Sequence, residues 1–154
     1  MITCIKAVDT RLQKLSAQGL LKSTQQSLFR RDGAQAYGTL SSVYGALVEV
    51  ICLRGPFNAQ SILVFANGLG VLTGDGSSFP QLTFGYAGAG PRIFTRFLAE
   101  AGFKVNHAQG FWAPLIIHSN GYVVNGTRGG DRIRWETGVR MDVPRFPMTK
   151  AKAL

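Results

Sequence analysis

Hydrophobic positions along the chain change period several times, and each change marks an element. Ile5, Val8, Leu12 and Leu15 are spaced three, four and three apart, one stripe of an amphipathic helix over residues 3–18. Lys6, Arg11 and Lys14 fall off that stripe, and Gly19 ends it. Residues 22–42 are rich in Gln, Ser, Gly and Arg and read as a flexible arm, so the globular body is expected to begin near Val43. From there the period is two. Leu47–Arg54 is β-rich and stops at Gly55-Pro56, and Ser61–Ala66 and Leu69–Thr73 flank Asn67-Gly68, a strong hairpin signal. Gln81–Tyr86 alternates Leu82, Phe84 and Tyr86 against Thr83 and Gly85.

Beyond Pro91 the period is about 3.6, with Ile93, Phe94, Phe97, Leu98 and Ala101 on one helix face and Gly102 as its stop. Pro114–His118 and Gly121–Asn125 make a second hairpin around Ser119-Asn120, and Arg132–Thr137 alternates again, with Ile133 and Trp135 opposite Arg132, Arg134 and Glu136. The expected fold class is α+β: a mostly antiparallel sheet with one central helix packed on it, plus an N-terminal amphipathic helix. The expected organisation is an N-terminal helix and flexible arm over 1–42, one α+β domain over 43–143 and a disordered basic tail over 144–154.

Composition narrows the function classes. A chain of 154 residues that is 45% hydrophobic, with 10 Phe, can bury a core without a disulfide or metal. Its longest apolar run, Leu47–Leu53, contains Glu49 and is followed by Arg54, so it is not a membrane span. Lys and Arg number 17 against 8 Asp and Glu, a net charge of +9 that favours a phosphate-bearing partner over a merely soluble basic protein. Residues 1–60 and 121–154 carry +4 each and residues 61–120 only +1, with Arg128, Arg132, Arg134, Arg140 and Arg145 dominating the last third. Cys4 and Cys52 form no CxxC and have no His at ligand spacing, so neither a metal nor a cofactor is expected. Cys52 reads as a small core residue. No signal-peptide stretch opens the chain, and the compartment is read as cytoplasmic.

The stretch that points to chemistry is Phe84-Gly85-Tyr86-Ala87-Gly88-Ala89-Gly90-Pro91-Arg92, a strand entering a glycine-rich turn and then a helix. Gly88 and Gly90 are expected to adopt positive φ and let a ligand approach the backbone, and Pro91 fits the first helical turn. Free N–H groups at the helix start suit a phosphate. Arg92 and Arg96, four apart, would have their repulsion relieved by the same anion, and Tyr86 would stack on a base. The competing reading is an ordinary strand-to-helix turn with a solvated arginine pair; the turn matches neither Walker A nor GxGxxG.

Gly85-Tyr86-Ala87-Gly88-Ala89-Gly90-Pro91 followed by an amphipathic helix resembles the GYxGxGP pattern of small phage and prophage domains among the anti-Thoeris proteins, the likeness covering roughly residues 45–103. The resemblance implies a non-catalytic oligomeric sponge that holds a cyclic ADP-ribose-type immune signal between subunits, in the host cytoplasm if the chain is phage-encoded.

Other chemistries fit less well. His107 and His118 could serve as base and acid of a metal-independent ribonuclease toxin, although a strand-end His is usually structural. The eight acids form no metal-nuclease arrangement, and no GxSxG elbow is present. Glu100 can pair with Arg96 along the helix. Gly126–Arg132 reads as a loop whose Arg128 and Arg132, with Arg134 beyond, close over an anion at the Gly88–Arg92 turn; its alternative is a plain surface loop. Trp135 alternates with Ile133 and reads as core, whereas Trp112 is free to stack. The leading expectation is sequestration of a phosphate-containing small molecule, a nucleotide signal in its sharpest form. Its site would be Tyr86, Gly88, Ala89, Gly90, Arg92, Arg96, Trp112, Arg128, Arg132 and Arg134 in a homo-oligomer with the N-terminal helix as subunit contact. A nucleic-acid-binding protein or inhibitor, gripping backbone phosphates with its basic ends, is the alternative.

Overall fold

Alternating apolar residues build the largest element, an eight-stranded sheet. The computed structural model describes residues 7–8, 32–54, 59–74, 81–105 and 107–142. Strands β1 (Ala7–Val8), β2 (Leu47–Arg54), β3 (Ala59–Phe65), β4 (Leu69–Gly74), β5 (Leu115–His118), β6 (Val123–Gly129), β7 (Arg132–Trp135) and β8 (Arg140–Asp142) lie in the order β1-β4-β3-β2-β5-β6-β7-β8. Among the described residues only the β1–β4 pair is parallel. Helices α1 (Gly33–Tyr44) and α2 (Ala89–Glu100) and a 3-10 turn at Ala108–Gly110 complete the described elements. The fold is α+β, as the periodicity predicts.

The two faces of the sheet bury different sets. Val50, Cys52, Leu63, Phe65, Val71, Leu115 and Ile117 share one cluster with Ala36, Leu40 and Tyr44 of α1 and Ile93, Phe94, Phe97 and Leu98 of α2. Ile51, Leu53, Ile62, Val64, Ile116, Val124, Ile133 and Trp135 form the other. Strands β2 and β3 are buried on both faces, which is why they read as nearly unbroken apolar runs. Asn67-Gly68 turns β3 into β4 through a three-residue loop closed by Gly68 at φ 86°, where the left-handed region suits glycine.

Several sequence expectations need correction. Residues 33–42, assigned to the flexible arm, are helical, and the globular body therefore begins before Val43. Asp32 caps α1 by accepting from the Ala34 and Gln35 N–H groups at 3.0 and 3.2 Å, and Ala36, Leu40 and Tyr44 recur every four residues to seal one face. Gln81–Tyr86 is not a strand. Its Leu82, Thr83 and Phe84 are all buried beneath the helices without a ladder partner, held by the Gly85 N–H to the Ala108 carbonyl. Gly126–Arg132 is not a loop but the end of β6, a two-residue turn at Gly130-Asp131 and the start of β7. The helix expected over 3–18 lies outside the described residues except at Ala7–Val8, which pair with Leu69–Gly70 as strand; the tail from Pro144 lies outside them too.

α2 follows its predicted pattern. Ile93, Phe94, Phe97 and Leu98 are buried, each contributing about 1.5–3 kcal/mol of apolar transfer, and Gly102 at φ 87° turns the chain away. α1 crosses α2 at backbone contact. A Cβ on Gly33 would run into the Ile93 carbonyl and approach the Phe97 nitrogen to 2.7 Å, whereas one on Gly38 would meet nothing within 4 Å. Gly33→Ala is therefore expected to lower unfolding stability by about 2–4 kcal/mol in urea titration. Gly38→Ala, in the same helix, should raise it by about 0.5–1 kcal/mol.

Candidate functional site

The glycine-rich turn is filled by its own tyrosine. Tyr86 bends back so that its hydroxyl shares a 2.8 Å hydrogen bond with Thr83 Oγ1, and its ring lies against Gly88 and Gly90. A Cβ on Gly88 would stand 2.8 Å from Tyr86 Cε2; one on Gly90 would strike Thr83 Oγ1 and lie 2.9 Å from the Tyr86 hydroxyl. The expected positive φ is absent at both: Gly88 is extended at φ 176° and Gly90 is helical, while Gly85 takes φ 87°. These glycines make room for Tyr86. Ala89 is exposed at the start of α2, and Gly88 caps the helix without a side-chain hydrogen bond. Arg92 and Arg96 are exposed one turn apart, and Arg96 forms no ion pair with Glu100.

The last three strands gather the other arginines. Antiparallel partners point to the same face, so the register Thr127–Arg134–Arg140 and Gly129–Arg132–Asp142 puts Arg132, Arg134 and Arg140 on one side of the β6–β8 ladder. Ile133 and Trp135 point to the other and are buried. Arg128 pairs with Ile133 and so leaves the group, its Nε donating to the Gly130 carbonyl at 3.2 Å. An open groove of about 490 Å³ is lined by Thr127, Gly129, Arg132, Arg134, Glu136 and Arg140, together with Ile133 and Trp135. Glu136 accepts the Asn125 N–H at 3.4 Å, and among the described residues neither Arg134 nor Arg140 forms an ion pair. Trp135 sits over Gly126, where a Cβ would come within 2.7 Å of the indole, and its Nε1 is buried without an acceptor.

The expected site is thus two separate groups. Arg132 and Arg134 do not close over the Gly88–Arg92 turn, because α2 packs on β2 and β5 while β7 lies two strands beyond β5. Arg140 joins them although the sequence reading left it out. Its signal was Thr137-Gly138, a turn with Gly138 at φ 88° that returns the chain antiparallel to β7. Trp112 is 81% exposed beside Phe111, which is wedged against Phe84 and Phe94. The Pro114 carbonyl two residues on accepts the Gly126 N–H, which ties this segment to β6 beside the groove.

The two histidines are not joined. His107 is exposed ahead of the 3-10 turn, which Thr95 Oγ1 fixes to α2 by accepting the Ala108 N–H. His118 ends β5, and its Nδ1 accepts the Asn120 N–H at 3.2 Å, a turn contact. Among the described residues no cluster of three or more His, Cys, Asp or Glu could hold a metal ion, and no helix is long and apolar enough to cross a membrane. Compared with known proteins, the chain matches no family model, no curated protein and no solved structure.

Two measurements check this account. Tyr86→Phe should lower stability by about 0.5–1.5 kcal/mol through the lost Thr83 hydrogen bond, and Gly90→Ala by more, because it displaces the ring. Burial pushes the Cys52 thiol up to about 12, against which the Ser61 hydrogen bond acts only weakly. Above pH 9 the unfolded thiol ionises and the folded one does not, so stability should fall between pH 9 and 12. Comparison with Cys52→Ala isolates that slope; equal slopes would refute the assignment.

Proposed function

We propose that the protein binds a phosphate-bearing small molecule on the Arg132–Arg134–Arg140 face without turning it over. The observation that carries this reading is the cross-strand neighbourhood of Arg134 and Arg140, two cations directly opposite each other. Like charges so placed cost about 0.2–1 kcal/mol, and a phosphate accepting from both guanidinium groups reverses the sign. Thr127, on the same row, adds a hydroxyl donor. Among the described residues Glu136 is the one carboxylate of the lining, and it is engaged by the Asn125 N–H, which favours holding a ligand over acid–base chemistry.

The volume of about 490 Å³ suits a nucleotide, and Trp112 offers a face for its base. Sequestration of a nucleotide signal, the function of the anti-Thoeris sponges that residues 85–91 resemble, is the sharpest form of this reading and brings with it a cytoplasmic setting.

Calorimetric titration with ADP tests the site. Arg134→Ala and Arg140→Ala should each weaken binding about tenfold or more, the worth of one charge-assisted hydrogen bond. Binding that survives both and is lost in Arg92→Ala would move the ligand to the α2 turn and overturn the groove.

A further inference from the structure

Polar groups in the groove are sorted by sign along the strands. The β6–β7 ladder runs one pair past Gly126 and Trp135: the Glu136 N–H donates to the Asn125 carbonyl at 3.0 Å, and the Glu136 carboxylate accepts the Asn125 N–H at 3.4 Å. Asn125 and Glu136 therefore stand opposite each other, and alternation returns both to the side of Thr127, Arg134 and Arg140. One row, Thr127–Arg134–Arg140, brings a hydroxyl and two cations. The next row, Asn125–Glu136, brings an amide and a carboxylate, about 6.7 Å further along β7. We infer that the groove binds a phosphate ester that also carries a protonated amine, with the phosphate on Arg134 and Arg140 and the ammonium group on Glu136. The assignment rests on the phosphate reading of the groove and names the class of molecule it takes.

The carboxylate decides the second group. Glu136 lines the same groove as the two arginines, so an anion held by them has a negative charge beside it. A ligand with anionic groups alone meets that charge as repulsion, whereas an ammonium group there turns it into attraction. Glu136 has room for both of its partners. An ionised carboxylate offers about four lone-pair sites on its two oxygens, and the Asn125 N–H uses one of them, on Oε2. That contact also ties the side chain to β6, so the acceptor is in place before the ligand arrives. Spacing sets the bridge between the two groups. About 6.7 Å between the Arg134 and Glu136 Cα positions suits two or three carbons between phosphate and amine. An alkyl ester without the amine keeps the phosphate and loses the charge-assisted hydrogen bond.

Calorimetric titration of the full chain with 3-aminopropyl phosphate and with propyl phosphate tests the assignment. The aminated ester should bind about fivefold or more tightly, the worth of one exposed but well-placed ion pair. Glu136→Gln removes the charge and keeps an oxygen for the Asn125 N–H. It should abolish the preference while leaving propyl phosphate bound as before or up to about twofold better. Arg134→Ala/Arg140→Ala should weaken both esters alike. All three positions are exposed, and circular dichroism checks that the variants fold. Vesicles of phosphatidylethanolamine in phosphatidylcholine, against phosphatidylcholine alone, separate two sources of the same chemistry. Protein that sediments with the first vesicles only would carry the pairing onto a lipid headgroup, and protein left in the supernatant by both would keep it on a free ester; each supports the pairing. Equal affinity for the two esters, or a preference that Glu136→Gln leaves intact, would overturn the amine assignment and leave the phosphate site standing. So would binding of ADP with neither ester bound. No binding of ADP or of either ester would overturn both readings.

Discussion

Backbone contact between α1 and α2 at Gly33 sets how much of the sheet the helix pair can cover. Two helices packed 8–10 Å apart span roughly 20 Å with their side chains. Eight strands at about 4.8 Å spacing span some 34 Å from edge to edge. The pair cannot cover the whole face, and because Tyr44 packs on Phe65 of β3 while Phe94 and Phe97 share a cluster with Leu115 and Ile117 of β5, the uncovered part is β6–β8. The open arginine face thus follows from a close helix crossing some strands away. It costs little to leave bare, since β6–β8 bury only their other side, through Val124, Ile133 and Trp135.

That arrangement also explains why two basic features so close in kind play different parts. The turn before α2 is packed from within: Phe84 goes to the core, Phe111 covers it, and Tyr86 closes over Gly88 and Gly90 with a hydrogen bond to Thr83. Glycine there answers a steric demand made by the protein itself. On β7 and β8 the demand runs outward, because the register sets the Arg134 and Arg140 positions directly opposite each other.

Elements with a strong period were legible in the sequence: β2 and β3, the Asn67-Gly68 hairpin, α2 with its Gly102 stop, and the division of β7 into Ile133 and Trp135 against Arg132 and Arg134. α1 was not, since Gly33, Gly38, Thr39, Ser41 and Ser42 are poor helix formers, and its stability comes from Asp32 and from packing on α2. Alternation misled at Gln81–Tyr86, where Leu82 and Phe84 are buried by helices above an unpaired segment. The site was half legible. Residue types named Arg132 and Arg134, but only the register could remove Arg128 and admit Arg140, because a shift of one residue exchanges the faces.

The chain's two tryptophans stand in opposite surroundings. Trp135 is enclosed with an indole N–H that meets no acceptor, and Trp112 is bathed in solvent. Indole emission shifts to the blue in an apolar enclosure and to the red in water, so the two contribute separable bands to one intrinsic spectrum. The blue band reports whether the β6–β7 hairpin is seated over Gly126, and the red band reports on the outer surface beside it. The protein thereby distinguishes, without any label, an event on its open face from a loosening of the strands that carry it.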